Sequence, residues 1–240
     1  MNKPILIYDY DGTLTTNSVP RVNLMDELGC TPEHYQQKMK EWIHENPKSD
    51  VFDAYYITFL NVLKEKGYPL TDETFAKATN ISDYNPGIFD YFEDFKDSAD
   101  HYLVSSGFKI PLMHTPIAKY FKEIYGTTFA YDKDGNAYGI DYAMNDRKKV
   151  DKIKEICQAH GNLDYDCTNM VYLGDGLTDV YAMEFMKTHG GTAVFVHQPH
   201  ETFDNFNKLH EQGVVDIVRV ADYSRNSELY NLLKGIIDGK

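Results

Sequence analysis

The chain has 240 residues, enough for one large domain or one and a half. Its 42% apolar and 14% aromatic content can build a sizeable core, which argues against intrinsic disorder. With 24 basic against 37 acidic residues and a formal net charge of −13, it lacks the basic footprint of a nucleic-acid binder. Cys30, Cys157 and Cys167 form neither a CxxC pair nor an even framework, and read as reduced thiols. The run Ile5–Tyr8 is broken by Asp9, too short for a leader's apolar stretch, and no run approaches the roughly 20 residues of a membrane span. The expectation is a cytoplasmic protein with no membrane or nucleic-acid partner.

Ile5-Leu6-Ile7-Tyr8 is apolar on both faces, as a central parallel strand requires. About 80 residues after it, from Thr16 to Ala99, contain no convincing strand. Thr31-Pro32 opens a helix that Pro47 closes, Asp50 caps a second with Val51, Phe52, Tyr55, Tyr56, Phe59, Leu60 and Leu63 on one face, and Thr71 caps a third. This stretch is expected to form an inserted all-helical domain with its own small core. Beyond it, short apolar runs recur at His101–Val104, Met170–Leu173, Thr192–Val196 and Val214–Val220. Helices are expected from Thr115-Pro116 to Gly126, over Arg147–Ala159 after a cap at Asn145 or Asp146, and over Leu177–His189. A hairpin is expected around Asp134-Gly135, joining Thr127–Tyr131 to Ala137–Tyr142. Its Asp132-x-Asp134-x-Asn136 opens like a calcium loop, but Ala137 and Ala143 stand where that loop needs glycine and a carboxylate. Strands alternating with helices indicate an α/β fold with a parallel, Rossmann-like sheet.

Four features carry chemistry. Asp9-Tyr10-Asp11-Gly12-Thr13 lies at the carboxyl end of the first strand, where open α/β sheets bind ligands. Gly174-Asp175-Gly176-Leu177-Thr178-Asp179 lies at the equivalent end of the strand Met170–Leu173. Two carboxylate sets meeting there repel one another unless a cation sits between them, and few, hard oxygen ligands suit Mg²⁺. Ser105-Ser106-Gly107 follows another strand and offers a hydroxyl and backbone amides for a phosphate oxygen. Lys148-Lys149 stands in a helix's first turn, where a cation gains from a specific anion partner.

In order, these four resemble the motifs of the haloacid dehalogenase superfamily along the whole chain. Asp9–Thr15 is similar to DxDGT, Ser105 to the second motif, Lys149 (with Lys148 as the fallback) to the third, and Gly174-Asp175 with Asp179 to GDxxxD. The resemblance implies an α/β core, residues 1–15 and 99–240, and a helical type 1 cap over 16–98, hinged near Thr15–Val19 and Ser98–Asp100. It implies that Asp9 is the nucleophile of an aspartyl-phosphate route and that Asp11 protonates the leaving alcohol and then activates water. Asp9, Asp11 through its carbonyl, and Asp175 would hold Mg²⁺, with Asp179 behind a metal-bound water. Ser105 and Lys149 would grip the phosphoryl oxygens, in a binding loop shared with Gly12, Thr13, Ser106 and Gly107. The expected activity is hydrolysis of a small phosphorylated metabolite.

Within the superfamily the hairpin is similar to that of phosphoserine-phosphatase-like members, yet two positions depart from them. Ser18 stands where those enzymes place a glutamate for the substrate amine, and Tyr55–Phe59 holds no arginine for its carboxylate. The same scaffold also serves phosphotransferases, phosphomutases and phosphate-compound binding modules, alternatives that the sequence leaves open.

Overall fold

The computed structural model describes residues 3–16, 29–77, 83–199 and 209–239. Seven strands form one sheet: β1 (Ile5–Tyr8), β2 (Asp100–Phe108), β3 (Glu123–Tyr131), β4 (Ala137–Tyr142), β5 (Met170–Gly174), β6 (Thr192–His197) and β7 (Ile217–Val220). Their order is β4-β3-β2-β1-β5-β6-β7, all parallel except the β3–β4 hairpin. The strand period of two explains the continuous apolar run of β1. Leu6 and Tyr8 enter a core on one face of the sheet, and Ile5 and Ile7 enter a core on the other.

Among the described residues the helices are α1 (Pro32–Glu45), α2 (Val51–Glu65), α3 (Asp72–Lys77), α4 (Ile88–Phe95), α5 (Lys109–Met113), α6 (Asp146–Ala159), α7 (Val180–Thr188) and α8 (Glu228–Ile237). Three of them start at caps that the sequence indicates. Thr31 accepts from the His34 N–H, Asp50 from Phe52 and Asn145 from Lys148, so Asn145 rather than Asp146 caps α6. One sheet face carries α4 and α8; the other carries α6 and α7. Among the described residues no helix is long and apolar enough to cross a membrane.

The structure corrects four expectations. The helix expected between Thr115 and Gly126 is a single tight turn, Ala118–Tyr120, followed by β3. Ile124 and Tyr125 pair with Leu103 and Val104 instead, and Gly126 lets the chain press on β2, since a Cβ there would lie 2.8 Å from the Gly107 carbonyl oxygen. The last strand is only Ile217–Val220. The helix expected from Leu177 begins as a tight turn, Leu177–Asp179, ahead of α7.

The fourth correction concerns the insert. Helix α4, inside the expected 16–98, belongs to the sheet: Ile88, Tyr91, Phe92 and Phe95, one helical face, are buried with Leu6, Tyr8 and Leu103. The chain returns from the insert earlier, at Asp83–Asn85, where Thr16 N–H bonds the Asp83 carbonyl (2.8 Å) and Asn85 N–H bonds Leu14 (3.0 Å). The outgoing hinge residues 17–19, Ser18 included, lie outside the described residues. Nor is the core of α1–α3 their own. Tyr35, Tyr56, Phe59, Leu60, Leu63 and Phe75 share it with Phe108, Phe129 and Ala137 of the sheet's edge, Phe75 stacking on Phe129 at 4.0 Å.

Beneath the site, the buried His101 ring faces the Tyr8 hydroxyl (2.9 Å) and the Phe95 carbonyl (3.2 Å). The carbonyl only accepts, so the Nε2 proton goes there and Nδ1 accepts from Tyr8. Burial pushes the imidazole down to about 4 from 6.5. The folded state therefore favours neutral His101; this stability is full above pH 6.5 and is lost as pH falls toward 4, by about 3 kcal/mol. In His101→Phe the fall of urea-unfolding stability between pH 6.5 and 4 should flatten by about that amount; an unchanged slope would exclude His101 as its source.

Candidate functional site

Three strand ends bring the chemistry together. Asp9 follows β1, anchored by its N–H on the Leu173 carbonyl at 2.9 Å. Asp175 and Asp179 follow β5, and Ser105-Ser106-Gly107 closes β2. Beside them Lys149, in the first turn of α6, is wholly buried, its ammonium 3.0 Å from Asp9 Oδ1 and 2.7 Å from Asp179 Oδ1. Lys148 goes elsewhere, its Nζ 4.5 Å above the Tyr142 ring.

Asp179 is fully engaged. Its Oδ1 also accepts from the Tyr172 hydroxyl (2.6 Å), and its Oδ2 from the Gly176 N–H (3.1 Å). Gly174 permits this packing, for a Cβ there would stand 2.5 Å from the Asp179 carboxyl carbon. Burial pulls the Lys149 ammonium down, but the Asp179 and Asp9 charges outweigh it and hold the group above its ordinary value, hence protonated. Asp9 is pushed up to about 6, chiefly by burial, with Lys149 opposing and the Asp179 charge adding to the rise.

Asp9, Asp175 and Asp179 each present one oxygen within 4.8 Å of the others. Around that point three carboxylates face one ammonium, a formal charge of −2 in a largely buried place. Hard oxygen donors with that imbalance fit a divalent cation such as Mg²⁺. The Asp11 side chain is not one of this trio and lines the cavity instead. Thr13 Oγ1 reaches Asp175 Oδ1 at 3.4 Å, linking the two carboxylate loops.

The phosphate-binding candidates converge on the same floor. Ser105 Oγ accepts from the Gly107 N–H at 3.0 Å, and a methyl group at Gly107 would lie 3.3 Å from that oxygen and 3.9 Å from Asp11 Oδ2. Ser106 Oγ is buried from solvent with no hydrogen-bond partner among the described residues, as a group kept for a ligand would be. Gly12 adopts φ +77° in the turn after Asp11. Above this floor a cavity of about 360 Å³ is roofed by Met39 of α1 and by Val51, Phe52, Tyr55 and Tyr56 of α2.

The sequence reading missed the residues that hold the Asp11 loop. Gln198 Nε2 donates to the Gly12 carbonyl (3.1 Å) and to Asn85 Oδ1 (3.1 Å), Asn85 Nδ2 donates to the Thr13 and Thr15 carbonyls (2.9 and 3.1 Å), and the Tyr223 hydroxyl donates to Thr13 (3.0 Å). Lone Asn, Gln and Tyr residues scattered from Asn85 to Tyr223 carry no spacing signal. In the sequence Tyr56 belongs to the aromatic face of its helix, a pattern that suits core or pocket lining. Its hydroxyl in fact donates to the carbonyls of Ser106 (2.6 Å) and Met144 (3.0 Å), tying the roof to the Ser105–Gly107 loop.

Solved structures share this architecture. A substrate-bound phosphoserine phosphatase superposes with a TM-score of 0.62 at 18% identity, over 98% of both chains. A phospho-aspartyl intermediate analogue of phosphoserine phosphatase gives 0.58 at 18% identity, over 98% of this chain and 99% of that one. A magnesium-bound HAD-hydrolase from Bacillus subtilis gives 0.51 at 15%, over 98% and 100%. At such identities the likeness establishes the fold. No curated protein sequence matches. The model of one protein family, described as haloacid dehalogenase-like hydrolase, does match, over residues 6–184, from β1 through the Lys149 helix to α7. A buried lysine between two strand-end aspartates, in that fold and under that family pattern, makes this chain a member of the haloacid dehalogenase-like hydrolases.

Proposed function

We propose that the protein is a Mg²⁺-dependent phosphatase that hydrolyses a small phosphate monoester through an aspartyl-phosphate on Asp9. The observation that carries this reading is the Asp9–Lys149–Asp179 ion triad beneath a cavity that also exposes Asp11. Lys149 keeps Asp9 ionised and aimed, which a nucleophile needs, and its charge, with the Ser105 and Ser106 hydroxyls, would stabilise the phosphoryl oxygens in flight. Family membership and the likeness to a phospho-aspartyl analogue support it.

In the first step an Asp9 oxygen attacks phosphorus, the bond from phosphorus to the alcohol oxygen breaks, and Asp11 gives that oxygen a proton. In the second, water attacks phosphorus, Asp11 takes the water's proton, and the Asp9 carboxylate leaves with orthophosphate free. Asp9, Asp175 and the Asp11 carbonyl would hold the metal, with Asp179 behind a bound water while it clamps Lys149. Mg²⁺ held there would neutralise charge between the nucleophile and the phosphate. Helices α1–α3 would act as the cap over this centre, shutting out bulk water during transfer.

With Mg²⁺ the protein should hydrolyse p-nitrophenyl phosphate, and EDTA should abolish the activity. Full turnover in EDTA after extensive dialysis would remove the metal from the mechanism. Asp9→Asn keeps the side chain's size and removes the nucleophile; kcat should fall by at least about 10⁴ with an unchanged circular-dichroism spectrum. Activity near wild type in that variant would end the covalent route.

A further inference from the structure

The floor of the cavity addresses only a phosphoryl group and a cation. Whatever selects the rest of the substrate must lie in the roof. There the described lining is Met39, Val51, Phe52, Tyr55, Tyr56 and, from the core side, Leu177. None of these is an arginine, lysine or histidine, and Lys149 is already enclosed by Asp9 and Asp179. Among the described residues, then, no basic side chain of the lining would meet a second phosphate or a carboxylate on the substrate, which would sit beside Asp9, Asp11 and Asp175.

The polar groups of the roof side chains are few: the Tyr55 and Tyr56 hydroxyls and the Met39 thioether. The Tyr56 hydroxyl shares its one proton between the Ser106 and Met144 carbonyls, which fixes the side chain with its ring toward the cavity. The rings brace one another: Phe52 stacks on Tyr56 at 6.4 Å, Tyr55 meets Tyr56 edge-on at 5.5 Å, and Tyr55 stacks on Phe108 at 6.3 Å. Such a braced surface is a rigid apolar wall with ring faces and edges already oriented. At its rim Val51 and Leu177 are 58% and 63% exposed, large apolar side chains left to water beside a site that must bind something. At about 360 Å³ the cavity lies near the small end of ligand sites, room for one ring or two besides the phosphate.

We infer that the substrate is the phosphate monoester of a neutral, aromatic alcohol, whose ring packs against Phe52, Tyr55 and Tyr56 while Val51 and Leu177 close over it. This rests on the phosphatase reading and names the substrate class of the same site. It accounts for apolar side chains at the mouth of an acidic site, and for the missing arginine in Tyr55–Phe59.

The test compares primary alkyl phosphates, whose leaving groups are chemically alike: 2-phenylethyl phosphate, glycerol 3-phosphate, phosphoserine and phosphocholine, with Mg²⁺. The phenylethyl ester should exceed each of the others in kcat/KM by about tenfold or more, and Phe52→Leu should narrow its margin over glycerol 3-phosphate severalfold. Binding needs no turnover: by calorimetry, benzylphosphonate should bind the wild-type protein with Mg²⁺ about tenfold more tightly than methylphosphonate. Equal kcat/KM across the series, or a lead for glycerol 3-phosphate or phosphoserine, would overturn the inference and leave the phosphatase standing. A lead for phosphocholine would replace the neutral ring by a quaternary ammonium and overturn it too. If every ester and p-nitrophenyl phosphate are inert, the phosphatase reading falls; equal binding of the two phosphonates would then dispose of the aromatic site independently.

Discussion

The buried ammonium of Lys149 sets the terms for the rest of the molecule. A charge with no exposure to water is tolerable only between opposite charges in good geometry, and here it has two, at 3.0 and 2.7 Å. Those partners come from the ends of β1 and β5, and the lysine from α6, so one ion triad fixes three elements at the sheet's carboxyl edge. Asp179 can serve because Tyr172 and the Gly176 amide take up its remaining lone pairs. The same arrangement leaves Asp9 with charge to spare toward the cavity, and Asp175 beside it.

A second layer keeps the loop after Asp9 in shape. The carbonyls of Gly12, Thr13 and Thr15 all receive side-chain donors, from Asn85, Gln198 and Tyr223. These donors arrive from the return of the insert, the end of β6 and the segment before α8. Buried carbonyls left without them would each cost on the order of 1–3 kcal/mol, so the loop has one well-determined course. That course places Asp11 at the cavity wall and Gly12 at a positive φ.

The inserted helices are joined to this centre by packing as well as by chain. Phe108, one residue past Gly107, lies 4.7 Å from Phe59 and 5.2 Å from Tyr56. Through the Tyr56 hydroxyl the roof also holds the Ser106 carbonyl. The aromatic wall of α2 and the Ser105–Gly107 loop are thus parts of one bonded unit.

The sequence by itself determined the α/β class, the central strand, the hairpin, the caps of α1 and α2, and the two carboxylate loops. All are local patterns: a run apolar on both faces, a capping residue before a helix, aspartates straight after a buried strand. The tertiary structure decided what depends on contacts distant in the chain. It chose Lys149 over Lys148, because only one face of α6 meets the strand ends. It made residues 123–126 a strand, because β2 offers a partner there and Gly126 allows a close approach. It returned α4 to the sheet, because Tyr91, Phe92 and Phe95 fit the core beside Tyr8 and His101. It assembled Asn85, Gln198 and Tyr223 around three carbonyls, a geometry of isolated polar residues that no local pattern encodes. It also turned the aromatic stripe of α2 two ways, since one helix can bury Phe59 beneath and present Phe52 and Tyr55 to the cavity above.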